Sequence, residues 1–263
     1  MHTFIANTPQ LFDWIAQVMW PFLRIGAMFS IAPLFGSRTI PARIRIGVAL
    51  ALSVSLAPTL PTPPDIDVLS AAGVVDVAVQ LSIGLSIGFM LQMSFASLQM
   101  AGELVATTMG LSMAQVTDPV NGGQVPVLGQ LFFMTGMLLF LSMNGHLAMM
   151  SLVFESFKAM PIGATGLAGD DVWAMANHAS SVFVAAVKVA LPAVTALLAA
   201  NVVLGVITRA APQLNLFAFG LPITTALGLL LLLVTLPELT NAVRGSLQEV
   251  LALLSSIFLV GED

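Results

Sequence analysis

The chain has 263 residues, of which 58% are hydrophobic and only 8% are charged, and its mean hydropathy is +1.00. A soluble domain of this size needs charged faces on most of its helices, so this composition excludes a water-soluble globule and indicates a membrane protein. The thirteen acidic and eight basic residues are scattered singly, which argues against nucleic acid as a partner. The absence of cysteine excludes disulfides and thiolate metal sites.

Long uncharged runs predict membrane-crossing helices, which need about 20 apolar residues each. No Asp, Glu, Lys or Arg occurs in Val77–Gly102, Pro119–Phe154, Val189–Thr208 or Ala210–Pro237. The apolar segments extend over about Leu11–Phe35, Ile44–Ala57, Val68–Ser112, Val127–Phe157, Val172–Thr208 and Leu216–Leu259. The second is too short to span alone, and the third, fifth and sixth are too long for one simple crossing, which favours bent helices, helical hairpins or helices that leave the bilayer.

Helix breakers and small residues add detail to these segments. An interior proline removes a backbone hydrogen bond and bends a helix. This predicts kinks at the prolines within or beside apolar runs, namely Pro21, Pro33, Pro192, Pro212, Pro222 and Pro237. Gly84 and Gly88 lie one helical turn apart and predict the close approach of another helix. We therefore predict an all-α, membrane-associated bundle of kinked helices and helical hairpins with no soluble domain.

Two local signals predict helix starts in the second half of the chain. Asp170-Asp171 is predicted to be the N-cap of the following helix. Thr235–Glu238 matches a capping box with proline in the first turn, which predicts another start there. Beyond it, an apolar stripe opposed by Arg244, Gln248 and Glu249 predicts an amphipathic last helix, partly outside the lipid or against a partner. The stripe consists of Val243, Leu247, Val250, Leu251, Leu254, Ile257 and Phe258.

Basic residues predict the orientation of the first two segments. No Lys or Arg precedes Arg24, whereas Arg38, Arg43 and Arg45 lie close together in the connection after the first segment. The next connection, Pro58–Asp67, contains two acidic residues and no basic one. Basic turns stay on the cytoplasmic side, so the N-terminus is expected outside and the Arg38–Arg45 turn in the cytoplasm. We interpret these three arginines as topological and headgroup anchors.

Polar residues inside apolar segments are candidates for function, because charge in a membrane helix is costly. Arg24 interrupts the first segment and Glu103 ends a long uncharged run. Gln92, Gln99 and Glu103 are spaced so that they share one helical face. Either this stripe lines a wet passage or a seam between subunits, or it hydrogen-bonds inside the bundle with Arg24 neutralising Glu103. The residues alone leave both interpretations open.

Sequence signals for chemistry are weak. Gly110-Leu-Ser112-Met lacks the second glycine of a nucleophile elbow, and no phosphate-binding G-x-x-x-x-G-K-[ST] motif for ATP hydrolysis occurs. The fifteen methionines form no dense Met-x-x-Met array for copper, and histidines number only three. We therefore predict no enzymatic activity, no cofactor and no metal. Methionine can also line a pore, a role that suits Met109 and Met113 beside the Asp118 turn.

Three stretches, in this order and at these separations, carry a resemblance to a known family. The first runs from Arg24-Ile-Gly-Ala-Met-Phe-Ser-Ile-Ala-Pro to Ser53. The others are the Asp118-Pro119 turn followed by Asn144-Gly-His146 and Ser156-Phe157, and Arg209-Ala-Ala-Pro-Gln-Leu-Asn-Leu-Phe217 preceded by Asn201 and Gly205. From about Leu11 to Leu254 the chain resembles the FliR family of flagellar type III export gate proteins. The virulence counterparts of that family belong to injectisomes, and the Phe35–Arg45 stretch favours the flagellar branch.

The resemblance implies a core subunit of an export gate rather than an enzyme. It implies assembly with FliP-like and FliQ-like subunits, beside FlhB-like and FlhA-like export proteins, in the bacterial inner membrane at the flagellar basal body, where unfolded flagellar subunits pass. It also implies a FliP-like half at residues 1–158 and a FliQ-like half at residues 172–263, as in a FliP–FliQ fusion. The alternative is a stand-alone small-molecule or ion permease, although the inverted repeats and midplane charged site typical of permeases are not clear.

The resemblance also implies a plug loop in the pore. The matching loop is Gly110–Gln124, and its candidate residues are Gly110, Met113, Asp118, Pro119, Gly122 and Gly123. An ordinary surface turn is the alternative, because turns of this composition are common.

A further polar stretch follows the fifth segment. It offers a cation, a helix break and two amides at Arg209, Pro212, Gln213 and Asn215, which together can satisfy buried backbone or carboxylate groups across subunits. The alternative is a cytoplasmic turn with an anchoring arginine.

Overall fold

The computed structural model describes residues 8–36, 40–64, 70–111, 127–164, 166–211 and 219–259. Within these ranges the chain forms seven α-helices and a short 3₁₀ turn, and no strand. The helices are α1 (Thr8–Ile31), α2 (Ala42–Leu56, followed by the turn Ala57–Thr59), α3 (Ala71–Thr108), α4 (Val127–Ser142), α5 (Gly145–Ala159), α6 (Gly169–Ala210) and α7 (Leu221–Leu259). The all-α prediction is confirmed.

Among the described residues, five helices are long and apolar enough to cross a membrane, namely α1, α3, α6, α7 and α2 together with its 3₁₀ turn, as Ala42–Thr59. By length and composition, the prediction that the second segment is too short to span alone is therefore wrong. The 38, 42 and 39 residues of α3, α6 and α7 correspond to about 57, 63 and 59 Å at 1.5 Å per residue. Each is therefore about twice as long as the roughly 30 Å hydrocarbon layer requires. Over the described residues, the third, fifth and sixth apolar segments are each one continuous helix, namely α3, α6 and α7.

The break falls in the fourth apolar segment instead. α4 and α5 are bent by 70° relative to each other, and the bend lies at Asn144, whose φ of 58° and ψ of 27° are left-handed. Asparagine adopts this conformation more readily than other residues with a Cβ because its short polar side chain can bond locally. α5 then restarts with a hydrogen bond from the Leu147 N–H to the Asn144 carbonyl at 2.9 Å.

The two predicted helix starts have different outcomes. The helix start near Asp170-Asp171 is confirmed, but both residues lie in the first turn of α6, which begins at Gly169, and not at the N-cap position. The Asp171 carboxylate accepts a hydrogen bond of 2.8 Å from the Ala168 N–H. The start at Thr235–Glu238 is wrong, because α7 continues through it. The Thr235 hydroxyl donates back to the Leu232 carbonyl at 3.2 Å, and an apolar setting offers the backbone no better partner than its own helix.

The predicted amphipathic end of α7 is confirmed. Arg244, Gln248 and Glu249 are exposed. Most of the predicted stripe is buried, namely Val243, Leu247, Val250, Leu254 and Phe258.

The chain forms two compact units. Unit 1 comprises Met1–Gln92, Asn144–Ala176 and Glu249–Asp263, and unit 2 comprises Met93–Met143 and Asn177–Gln248. The division into halves at 1–158 and 172–263 stays a prediction, since it concerns likeness to other proteins.

In unit 1, α1 and α3 pack closely where Gly84 and Gly88 lie, as predicted. A Cβ at Gly84 would overlap the Arg24 carbonyl oxygen, and a Cβ at Gly88 would lie 2.7 Å from the Met28 carbonyl oxygen. Only glycine permits this approach of two backbones.

In unit 2, α3 and α4 approach each other in a similar way. A Cβ at Gly102 would lie 2.6 Å from the Leu128 carbonyl oxygen. The Phe95 ring meets the edges of Phe133 and Phe140, with both centroid distances at 5.6 Å. The contact between α3 and α4 thus combines a glycine at one point with, about two turns earlier on α3, a cluster of three aromatic rings.

Candidate functional site

Arg24 of α1 is fully buried and is the centre of a polar cluster inside unit 1. Its Nε donates to Gln80 Oε1 at 2.8 Å, its Nη1 to Ser156 Oγ at 2.9 Å, and its Nη2 to the Met160 carbonyl at 2.8 Å and again to Gln80 Oε1. Its Cζ also lies 3.9 Å from the centroid of the Phe157 ring. The guanidinium therefore ties α1 to α3 and to the C-terminal end of α5.

The interpretation in which Arg24 neutralises Glu103 is wrong. Neutral oxygens of Gln80, Ser156 and Met160 take its donors instead, and Glu103 accepts a hydrogen bond from Gln99 Nε2 at 3.3 Å. Hydrogen bonds to a cation are stronger than neutral ones, so carbonyl and hydroxyl acceptors can hold a buried arginine.

The sequence analysis missed Gln80. The available signal was its position one turn before Gly84, on the face of α3 that packs against α1.

The stripe of Gln92, Gln99 and Glu103 lies along α3, and all three side chains are half-buried. Gly129 of α4 packs against the stripe at Gln99 and Glu103. A Cβ on Gly129 would lie 3.1 Å from both the Gln99 carbonyl oxygen and Glu103 Cγ. Glu103 also borders an apolar cavity of about 450 Å³ between α3 and α6 in unit 2. The cavity is lined by Met100, Glu103, Leu104, Thr107, Thr108, Val187, Ala190, Leu191 and Val194.

The C-terminal end of α3 leads into the predicted plug loop. Gly110 has a left-handed φ of 81°, and its N–H bonds to the Thr107 carbonyl at 3.1 Å, a common way for a helix to end in glycine. The Asn201 side chain of α6 donates to the Thr108 carbonyl at 3.1 Å. Thr224 of α7 donates to the Met109 carbonyl at 3.1 Å.

Several predicted site residues fall outside the part of the chain that the structure describes. Gly110 is the described member of the plug-loop set, and Arg209 is described and exposed in the last turn of α6. Arg43 is exposed and Arg45 half-buried in the first turn of α2. Outside the described residues lie Arg38, Met113, Asp118, Pro119, Gly122, Gly123, Pro212, Gln213 and Asn215.

Comparison with known proteins agrees with a membrane-embedded export component. Residues 15–250 match the family of bacterial export proteins, family 1. The flagellar biosynthetic protein FliR of Escherichia coli (strain K12) is 35% identical over 252 residues, which cover 96% of each chain. The FliR proteins of Pectobacterium carotovorum subsp. carotovorum and Bacillus subtilis (strain 168) are 37% and 32% identical over 95% and 89% of this chain and 96% and 92% of their own.

A helical membrane chain with this match is a bacterial protein-export component. The chain belongs to the FliR family of export proteins, whose members are subunits of the flagellar type III export gate.

Proposed function

We propose that the chain forms part of the wall of a protein-conducting channel in the bacterial inner membrane, at the flagellar basal body. FliP-like and FliQ-like subunits would cover its exposed apolar helices. Unfolded flagellar subunits would pass through the channel without any enzymatic step on this chain. FlhB-like and FlhA-like export proteins would act beside it.

The observation that carries this proposal is the exposure of α6 and α7. Only 28% of the apolar span of α6 and 22% of that of α7 is buried within the chain. Large apolar side chains are exposed at neighbouring positions such as Val202 and Val203, at 67% and 57%, so the apolar surface faces more than one direction. Lipid covers about 20 residues of such a helix, and the remaining apolar length needs protein around it.

Family membership supports the identity of the covering chains. The relatives are named as flagellar biosynthetic proteins, and a gate of several subunits gives α6 and α7 the cover that one chain cannot supply. The halves at 1–158 and 172–263 would then correspond to the two kinds of partner. The stretch from Arg209 to Asn215 would meet a neighbouring subunit.

We further propose that the loop Gly110–Gln124 plugs the resting channel. Its described end supports this role, because α3 ends in a left-handed glycine and the chain leaves the helix at a fixed position. A glycine-rich loop costs little to displace, and a plug must yield when a substrate arrives.

Copurification tests the assembly. A tagged chain, expressed together with FliP-like and FliQ-like chains, is expected to elute as one stable hetero-oligomer in mild detergent. A single chain or homodimer that transports small molecules or ions in vesicles would instead support the permease alternative and contradict the gate.

A further inference from the structure

We infer that the cavity between α3 and α6 in unit 2 is a docking site for a neighbouring subunit, and that its occupant is a lysine or arginine side chain that pairs with Glu103. The Glu103 carboxylate borders this cavity of about 450 Å³. The inference deepens the proposed function and rests on it, because the neighbouring subunit is a member of the proposed gate. It selects the seam between subunits from the interpretations that the residues alone left open.

The Glu103 carboxylate is poorly satisfied within the chain. Among the described residues its hydrogen-bond donor is Gln99 Nε2, at 3.3 Å, whereas a charged donor typically lies about 2.7–2.9 Å from a carboxylate. No basic side chain of those residues forms an ion pair with it. A carboxylate in an apolar setting is costly unless it is paired, so this position requires a cation that a neighbouring subunit can supply.

Glu103 is the one charged residue in the cavity lining that the structure describes. The hydroxyls of Thr107 and Thr108 donate within α3, to the Glu103 and Val105 carbonyls at 2.8 Å in both cases. The other lining residues are apolar, namely Met100, Leu104, Val187, Ala190, Leu191 and Val194. The cavity is many times larger than the roughly 30 Å³ of one liquid water, and a bound water needs two to four polar partners. Water alone therefore fits this lining poorly.

The position of the carboxylate favours a side chain over a lipid. Glu103 lies partway along the cavity, because Met100 precedes it and Thr107 and Thr108 follow it on α3. A lipid carries its charge at one end of long apolar chains, which suits a groove with its charge at one end. A lysine or arginine side chain has an apolar stem and a cationic tip, which suits an apolar wall with a carboxylate inside it.

The cavity is accessible to a second helix on its α6 side. Val187 and Leu191 line it, yet they remain 47% and 52% exposed. On α4, Gly129 packs against the stem of Glu103, where a Cβ would lie 3.1 Å from Cγ. The cavity therefore continues the uncovered apolar surface of α6 and adds an acidic anchor to it.

Photo-crosslinking in the purified complex tests the occupant. A photo-crosslinking amino acid replaces Leu191 in a chain that is expressed together with FliP-like and FliQ-like chains, and the crosslinked peptides are sequenced by mass spectrometry. We expect an adduct on one of those chains, within one helical turn of a lysine or arginine.

Dissociation of the captured subunit tests the ion pair. Glu103→Gln keeps the size of the side chain but removes the charge. It is expected to raise the dissociation rate at least about tenfold, the effect of losing one charge-assisted hydrogen bond. Exchange with labelled copies of the captured subunit measures this rate, and the yield of assembled complex is recorded for every variant.

Two control variants remove charges outside the cavity lining. Glu238→Gln neutralises an exposed acid of α7 in the same unit and is expected to leave the dissociation rate at the wild-type level. Lys188→Gln tests an internal partner, because Lys188 is exposed and adjacent to Val187 on α6. It is also expected to leave the rate unchanged.

A reciprocal exchange completes the test. Glu103→Arg is expected to prevent assembly, because it places a cation opposite the cation of the partner. Replacing the identified basic residue of the partner with glutamate is expected to restore assembly. If Glu103→Gln alone already prevents assembly, this exchange decides the test, and a failure to restore the complex overturns the inference.

The remaining outcomes separate the inference from the proposed function. If the probe at Leu191 captures only lipid or detergent, or a peptide without a lysine or arginine within one turn, the docking site is overturned although the complex has assembled. It is also overturned if Lys188→Gln speeds dissociation as much as Glu103→Gln, since the ion pair then lies within the chain. A wild-type chain that forms no complex contradicts the proposed function itself.

Discussion

At the scale of single residues, Arg24 shows how a charge is held inside an apolar helix bundle. Its donors meet an amide oxygen, a hydroxyl and a backbone carbonyl, and an aromatic ring lies against its flat face. Removing one member of such a cluster leaves the others buried without partners, which costs more than replacing the whole set with apolar groups.

This asymmetry gives the first prediction. Gln80→Leu is expected to destabilise the assembled complex by about 3 kcal/mol, because the buried guanidinium loses an acceptor shared by two of its nitrogens. The double variant Arg24→Met/Gln80→Leu is expected to recover a large part of that loss, since the uncompensated charge is gone. Thermal unfolding of the purified complex measures both. A double variant less stable than Gln80→Leu would show that Arg24 contributes through other contacts.

At the scale of helices, glycine decides where two elements meet. Gly84 and Gly88 let α1 rest directly on α3, and Gly102 does the same for α3 and α4 in unit 2. On α3, all three glycines lie in the uncharged run Val77–Gly102, where shape rather than ion pairing determines how the backbones approach.

The second prediction compares two glycines of the α1–α3 contact region. Gly84→Ala is expected to lower stability by about 1–3 kcal/mol, the usual cost of overpacking, because the added Cβ overlaps the Arg24 carbonyl. The control Gly26→Ala meets nothing within 4 Å and is expected to be neutral or stabilising by up to about 1 kcal/mol, from helix propensity. Unfolding midpoints of the two variants are compared. Equal midpoints would contradict the close contact.

The positions of the helices could be predicted from the sequence, whereas a bend and several hydrogen-bond partners could not. The apolar segments located the helices to within a few residues, as Val68–Ser112 did for Ala71–Thr108. The bend at Asn144 was not identified as a break, although Asn144-Gly145 is a dipeptide that often marks a turn. Gln80 and Thr224 were missed because hydrogen-bond partners in separate helices are joined only by tertiary packing, which local periodicity does not encode.

At the scale of the whole molecule, the chain buries too little of its apolar surface to be complete alone. Its described helices expose large side chains on α2, α6 and α7, and a membrane does not extend along the full length of the longest of them. This exposed apolar length supports the proposed assembly with other subunits.

A third prediction concerns that uncovered surface. A photo-crosslinking amino acid at Val202, which is 67% exposed, is expected to capture FliP-like or FliQ-like chains in the assembled complex. The same probe at Leu197 of the same helix, which is fully buried, is expected to capture none. Crosslinked products are identified by mass and by antibodies to each subunit. Capture of lipid alone at Val202 would place that face of α6 against the bilayer.

The cluster around Arg24 has a consequence for a protein embedded in an energised membrane. Its acceptors among the described residues are an amide, a hydroxyl and a peptide carbonyl, and none of these groups gains or loses a proton between mildly acidic and mildly alkaline conditions. The joint that unites three helices is therefore insensitive to acidification on either side. Such a joint lets unit 1 keep its shape when the pH on either side of the membrane changes.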